Sequence, residues 1–259
     1  MNTVFALSGV VIKELYRRKD FYVLFVLTAL ITLVVGSVRF FDDDKIVRVV
    51  KEASLLLIWI SALVIAVGTA ARQLPAEREN RTIFPLLAKP VSRAQVLLGK
   101  FAGCWFACGL TLLVFYLFFG VVVGSREHHW PVGSYIQALW LQWAMLGIVT
   151  ALVLLGSLVF AAPSSNSTIC IVVVVGILLL GGYLNRIAAQ QSGPIGAVIY
   201  GIYFLIPHLE WFDLRKFIEF DQGLVSWSYC VLTTVYAAIY AGLLLFASWL
   251  VFRHKALNV

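Results

Sequence analysis

The chain has 259 residues, 61% of them hydrophobic and 13% charged, with a formal net charge of +7. A soluble globular domain is roughly 45–50% apolar and about 25% charged, so this balance excludes an ordinary soluble domain. The basic residues cluster at the ends of long apolar runs, which ties the positive charge to membrane topology rather than to nucleic acid.

A helix needs about 20 apolar residues to cross a hydrocarbon core of roughly 30 Å. Only helices and closed barrels satisfy their backbone polar groups in lipid. The apolar runs are continuous rather than alternating, which selects helices over a barrel. The whole chain, 1–259, reads as one transmembrane domain of an all-α integral membrane protein. Residues 3–19 come first, with Val4, Leu7, Val11 and Leu15 at helical spacing and Lys13, Arg17, Arg18 and Lys19 at the polar end. That pattern reads as an amphipathic helix in the membrane interface, the alternative being a tail that simply continues the first span.

Six spans follow, at about 21–38, 54–71, 101–123, 135–162, 168–184 and 227–252. A polar loop with Asp42, Asp43, Asp44, Lys45, Arg48, Lys51 and Glu52 separates the first two, and reads as a solvated external loop. Between spans four and five, Pro163 to Ser167 reads as a turn. Cys104 and Cys108 share a helical face, but no histidine or acid completes a metal site, so they read as packing residues. His128 and His129 read as interfacial residues of the short loop before the fourth span.

The external segment 185–226 contains an apolar stretch, Ile195 to Ile206, bracketed by Pro194 and Pro207 and followed by Glu210. A dozen residues suit a re-entrant or interfacial element rather than a span. With six spans, lysine and arginine number 12 on the side holding both termini and the 72–100 loop, against 8 on the other. Acids number 4 and 9 respectively. The first side is therefore expected to be cytoplasmic.

The 72–100 loop is the most charged stretch. Glu77 and Glu79 come first, then Ile83, Leu86 and Leu87 at helical spacing, then Pro90 as a stop and Ser92 as a cap for the next helix. This predicts a short amphipathic helix across the cytoplasmic face, either docked in a groove of a soluble partner or resting on the headgroups. Arg72, Arg78 and Arg81 suit acidic groups on a partner or anionic lipid.

The run Glu-Arg-Glu-x-x-Thr-Ile-x-x-Leu-Leu-x-x-Pro-Val-Ser-Arg, from Glu77 to Arg93 and closing with Leu98-Gly99-Lys100, resembles the coupling-helix signature of ABC-2 type transporter permeases. Six spans, an N-terminal interfacial helix and an apolar element before the last span resemble that family too. Arg81 stands where many members have glycine, and Pro85 would cost about 3 kcal/mol inside a helix, which moves the expected helix start toward Phe84.

The resemblance implies a membrane permease that pairs with a second permease subunit, identical or related, and with a separate P-loop ATP-binding subunit. Glu77, Arg78, Glu79, Thr82, Ile83, Leu86, Leu87, Pro90 and Arg93 would form the coupling contact. ATP and magnesium would sit on the partner, since the chain carries no Gly-x-x-x-x-Gly-Lys-Ser/Thr motif and would bind no cofactor itself. The implied location is a bacterial-type inner membrane, with export the commoner direction. Two other classes stay in view: a membrane-embedded enzyme, for which the spans supply no nucleophile with an obvious base, and a scaffold subunit of a larger complex.

Overall fold

A computed structural model describes residues 2–17, 19–37, 43–79, 92–127, 130–160, 162–190 and 194–254. These residues form helices and connecting turns, with no strand among them. In chain order they are α1 (Asn2–Arg17), α2 (Lys19–Ser37), α3 (Asp43–Glu79), α4 (Arg93–Glu127), α5 (Val132–Val159), α6 (Pro163–Gln190), α7 (Pro194–Leu205), a 3-10 turn (Leu209–Phe212), α8 (Arg215–Glu219) and α9 (Trp227–His254).

Five segments among the described residues are long and apolar enough to cross a membrane: Val47–Pro75, Arg93–Arg126, Val132–Val159, Pro163–Gly181 and Trp227–His254. The apolar stretch of α2, Tyr22–Val34, is shorter. Helix α5 is the centre of the bundle, with buried residues on every side, from Tyr135 to Leu158. Helices α6 and α9 lie at the perimeter and expose Val172, Leu179, Leu232, Val235, Ile239 and Leu243. A rim of exposed leucine, valine and isoleucine suits lipid as its solvent rather than water.

Helix α3 is longer than its apolar window. Its 37 residues include the charged stretch 43–53, expected to be loop, and continue through Pro75 to Glu79. Such a helix is about 55 Å long at 1.5 Å per residue, so it overhangs a hydrocarbon core of roughly 30 Å at both ends. The hydropathy window stops where charges begin, but the backbone does not. The expected turn at Pro163 to Ser167 is likewise corrected: the chain breaks at Phe160, whose backbone is extended, and Pro163 opens α6. Proline at the first helical position loses a hydrogen bond that the helix would not make anyway. Asn166, one turn on, is fully buried and donates from Nδ2 to the Val153 carbonyl at 3.2 Å, fastening α6 to α5.

The α4–α5 contact is a reciprocal clasp. Trp105 Nε1 donates to the Trp143 carbonyl, and Trp143 Nε1 donates to the Trp105 carbonyl, both at 2.9 Å. The two indoles stack with centroids 4.6 Å apart and planes inclined by 17°. Each tryptophan is followed four residues later by glycine, Gly109 and Gly147, and each glycine makes room for the opposing ring. Buried indole N–H groups need a partner, and main-chain carbonyls supply it here.

Glycine plays the same part where α1 packs along α4. A Cβ on Gly99 would stand 2.8 Å from Leu7 Cβ, and one on Gly103 would stand 2.7 Å from Val11 Cβ. The Gly120–Gly124 pair, which also has small-residue spacing, faces aromatic rings: Gly120 lies beside Tyr135 of α5, and Gly124 accommodates the ring of Trp130.

A Gly109→Ala substitution would place its methyl 2.6 Å from Trp143 Nε1 and displace the ring from its hydrogen bond. Overpacking of this kind costs about 1–3 kcal/mol. Gly176 has open space around it. Thermal unfolding in detergent should therefore show a lowered midpoint for Gly109→Ala, and an unchanged or slightly raised one for Gly176→Ala.

Candidate functional site

The bundle has two polar ends. One end holds the limbs of the 80–91 segment, and the residues that fix those limbs are described even though the segment itself lies outside the described residues. On the descending limb, Leu74 is buried against Leu158 and Phe252. Gln73, one residue earlier, is buried and accepts a hydrogen bond at Oε1 from Lys100 Nζ at 3.1 Å. Its Nε2 lies 3.5 Å from Glu14 Oε2 and 3.4 Å from the Thr69 carbonyl. Lys100 is only 5% exposed. A buried ammonium needs hydrogen-bond partners, and Gln73 of α3 provides one here while reaching back to Glu14 of α1.

On the ascending limb, Ser92 and Gln95 form a reciprocal cap: Ser92 N–H donates to Gln95 Oε1 at 3.0 Å, and Gln95 N–H donates to Ser92 Oγ at 3.3 Å. This is the capping box, with Gln95 as the reciprocating residue, and it bears out the expected cap at Ser92. Arg93 donates from Nη1 to the carbonyls of Phe252 and Arg253, at 2.7 and 3.0 Å. It thus closes the C-terminal end of α9, where unsatisfied carbonyls and the helix dipole favour a cation.

The expected coupling residues divide accordingly. Glu77, Arg78 and Glu79 lie on the last turn of α3, not on a separate helix. The expected short helix and Thr82, Ile83, Leu86, Leu87 and Pro90 lie outside the described residues. Arg93 is directed at α9 inside this chain. Of the basic end expected on the first helix, Lys13 and Arg17 are exposed on α1 and Arg18 lies outside the described residues. Phe5 and Val10 are exposed on the same helix, the combination an interfacial helix requires.

The opposite end is closed by a cap, residues 207–226. Pro194 opens α7 and Pro207 follows it, so the bracketed apolar stretch is a 12-residue helix, as its length suggested. Beyond Pro207 the chain folds over the bundle. Leu209, Phe212, Leu214 and Ile218 insert into the main apolar core. Polar contacts then fasten the cap to three helices. Gln137 of α5 holds Val225 by both main-chain groups: its Nε2 donates to the carbonyl at 2.9 Å and its Oε1 accepts from N–H at 3.0 Å. The hydroxyl of Tyr236 on α9 accepts from the His208 N–H at 2.9 Å, and Tyr229 Oη donates to the Trp211 carbonyl at 2.6 Å. The Glu210 carboxylate lies against Gly181 of α6, where any side chain would overlap it.

Helix α3 makes the charged contacts. Lys51 Nζ donates to both carboxylate oxygens of Asp221, at 2.9 and 3.0 Å. Arg48 Nε donates to Glu219 at 3.1 Å, and its guanidinium lies 3.9 Å over the ring of Phe220. Arg215 forms a two-pronged pair with Asp213 and lies 4.7 Å over the ring of Trp59. Burial pushes the Asp213 carboxyl up, but the hydrogen bonds and charge of Arg215 outweigh it, so the net direction is down. Burial lowers the His208 imidazole.

These cap residues were not legible as a site: Arg48 and Lys51 read as part of a solvated loop, and their acids come some 170 positions later. The available signal was the spacing Arg48, Lys51, Leu55, Trp59, which continues one face of a helix. Among the described residues no group of three histidine, cysteine or acidic side chains is placed to hold a metal.

Among the described residues, five helices long and apolar enough to cross a membrane make this an integral, multi-pass membrane protein. The family model described as ABC-2 family transporter protein matches residues 10–247, and the chain belongs to that family. A search of curated proteins finds no match to it.

The Asp213 shift sets a direction for acid stability. The folded pKa is depressed, so the contribution of this carboxylate is present above the ordinary carboxylate range and lost as pH falls through the folded value. Detergent-solubilised protein titrated from pH 6 downward should lose thermal stability, with Asp213→Asn less stable at pH 6 and less sensitive to the acid. An Asp213→Asn profile parallel to the parent's would refute this.

Proposed function

We propose that this chain is the membrane permease subunit of an ATP-driven transporter whose hydrolysing subunit is a separate P-loop protein carrying ATP and magnesium. Family membership supports the transport role, and the architecture of one loop supports the coupling. The 80–91 segment enters from a helix buried at Leu74 and Gln73, and leaves through a helix fixed at Arg93 and Lys100. A force applied to that segment therefore reaches α3, α4, α1 and α9 together, without being absorbed by slack in its attachments. Glu77, Arg78, Glu79, Thr82, Ile83, Leu86, Leu87 and Pro90 are the proposed contact with the ATPase. Arg93 acts behind them, joining the loop to the last helix.

In this reading the chain crosses the membrane six times, with α2 as the first crossing and both termini in the cytoplasm. The cap then faces outward. A second permease subunit completes the complex in the inner membrane, and the direction of transport is export. The apolar rim that meets lipid also supplies the surface for that second subunit.

The test is to isolate the tagged chain from native membranes in mild detergent and identify what accompanies it. A near-stoichiometric P-loop ATPase is expected, and it should be lost when Glu77 and Leu87 are both replaced by alanine. Arg93→Ala should keep the ATPase bound but uncouple it, so that hydrolysis continues while its response to permease conformation falls. Recovery of the chain without an ATPase, under conditions that keep comparable complexes intact, would overturn the proposal in favour of a scaffold role.

A further inference from the structure

We infer that Lys51 and Arg48 are positioning residues of the transport cycle: through Asp221 and Glu219 they latch the cap to the same helix whose far end meets the ATPase. The inference rests on the permease reading and adds to it a specific connection between the two ends.

Three observations carry it. First, the latch is built into one helix. Arg48 and Lys51 occupy adjacent positions on one face of α3, and that face continues through Leu55 to Trp59, over which Arg215 of the cap lies. All the charged cap contacts described above therefore involve either α3 or the Asp213–Arg215 pair that rests on it. Second, α3 runs unbroken from these residues to Glu79, with its internal proline, Pro75, near the far end. From Lys51 to Glu77 is about 39 Å of helix at 1.5 Å per residue. A rod of this length, gripped in its middle by the core, tilts at both ends when one is pushed.

Third, the pair is asymmetric in a way that suits release. The Lys51 side chain is 1% exposed, whereas that of Asp221 is 60% exposed. Lysine is thus fixed to the rod and aspartate rides on the cap. Asp221 sits in the left-handed region, at φ 48°, and Gly223 follows at φ 83°. Such a turn is costly for a residue with a side chain and needs support from its surroundings. The two bonds to Lys51 supply that support. A relative movement of about 1 Å lengthens both beyond hydrogen-bond range. Water reaching the ammonium then compensates it, which gives the cap a latched and an unlatched state instead of a continuum.

Ile218 reports which state is occupied, because it is 2% exposed under the latched cap and lies on α8 beside Glu219. The native cysteines at 104, 108, 170 and 230 are all buried. The experiment places Ile218→Cys in the full chain, co-expressed with its ATPase, and measures labelling by a membrane-impermeant maleimide in intact cells. With the ATPase inactivated, labelling of the otherwise unaltered chain should be slow, and turnover should speed it. Lys51→Met should raise the resting rate about two- to fivefold, the scale of an ion pair whose remaining partner is exposed, and abolish the dependence on turnover. The exchange Lys51→Asp with Asp221→Lys should restore slow resting labelling. Where Lys51→Met fails to accumulate, Arg48→Gln and Glu219→Gln, both at the more exposed pair, carry the same expectation at smaller amplitude.

Labelling that ignores both Lys51→Met and ATP turnover, while the ATPase still co-purifies, overturns the latch and leaves the permease reading intact. Loss of the ATPase from the unaltered complex overturns that reading instead. Fast resting labelling in Lys51→Met with turnover dependence retained shows a structural tie only, and also overturns the positioning role.

Discussion

In hydrocarbon a polar group has no water to turn to, so each one buried in a membrane bundle needs its partner within the protein. That constraint explains where this chain keeps its polar side chains. In the bundle interior many bond a neighbouring helix or their own: the two tryptophans of the clasp bond each other's backbone, Thr111 and Ser157 return to their own helices, and Tyr116 donates to Gln142. Among the described side chains, the buried cations stand near the ends of the helices. Lys51 and Lys100 are both buried, at opposite ends of the bundle, and each has a bonded partner on another element. The exposed apolar rim, by contrast, is made of aliphatic side chains with aromatic rings such as Phe106, Trp140 and Phe246 among them, and needs no specific polar contact to be stable in lipid.

The two ends are organised differently as a result. At the loop end the ties join helix to helix: α1 to α3 to α4 through Glu14, Gln73 and Lys100, and α4 to α9 through Arg93. At the cap end the ties join helices to a short, irregular segment. That segment's backbone groups are exposed to the bundle and must be matched one by one, as Gln137 does for Val225 and Tyr236 for His208. The cap is anchored by placing Leu209, Phe212 and Ile218 in the core. Helices α3 and α9 take part in both arrangements, and of the two only α3 carries charged ties to the cap among the described residues.

Much of this was legible in the sequence, and the parts that were not share a cause. Apolar run length located the long helices, and the proline bracket around 195–206 located α7, because both are local and depend on one residue's neighbours. Ser92 announced itself as a cap for the same reason. The ends of α3 were missed because hydropathy counts charges as loop, whereas Arg48 and Lys51 are helical and face a cap made some 170 residues later. The start of α6 was missed because Pro163 was read as a breaker when it stands where a helix begins. Arg93 fits the loop signature by its position, but its hydrogen bonds go to α9. That pairing joins residues 159 and 160 positions apart, beyond the reach of any local pattern.

The tryptophan clasp has an optical consequence. Two indoles stacked with centroids 4.6 Å apart are close enough for their electronic transitions to mix, and the coupling falls with the cube of their separation. The other six tryptophans contribute a background, of which Trp140 is the nearest partner described, edge-on to Trp143 at 5.5 Å. The unlabelled protein therefore contains its own gauge of the α4–α5 spacing, readable as a circular-dichroism couplet. If the two helices separate at any point in the working cycle, the molecule announces it in polarised light.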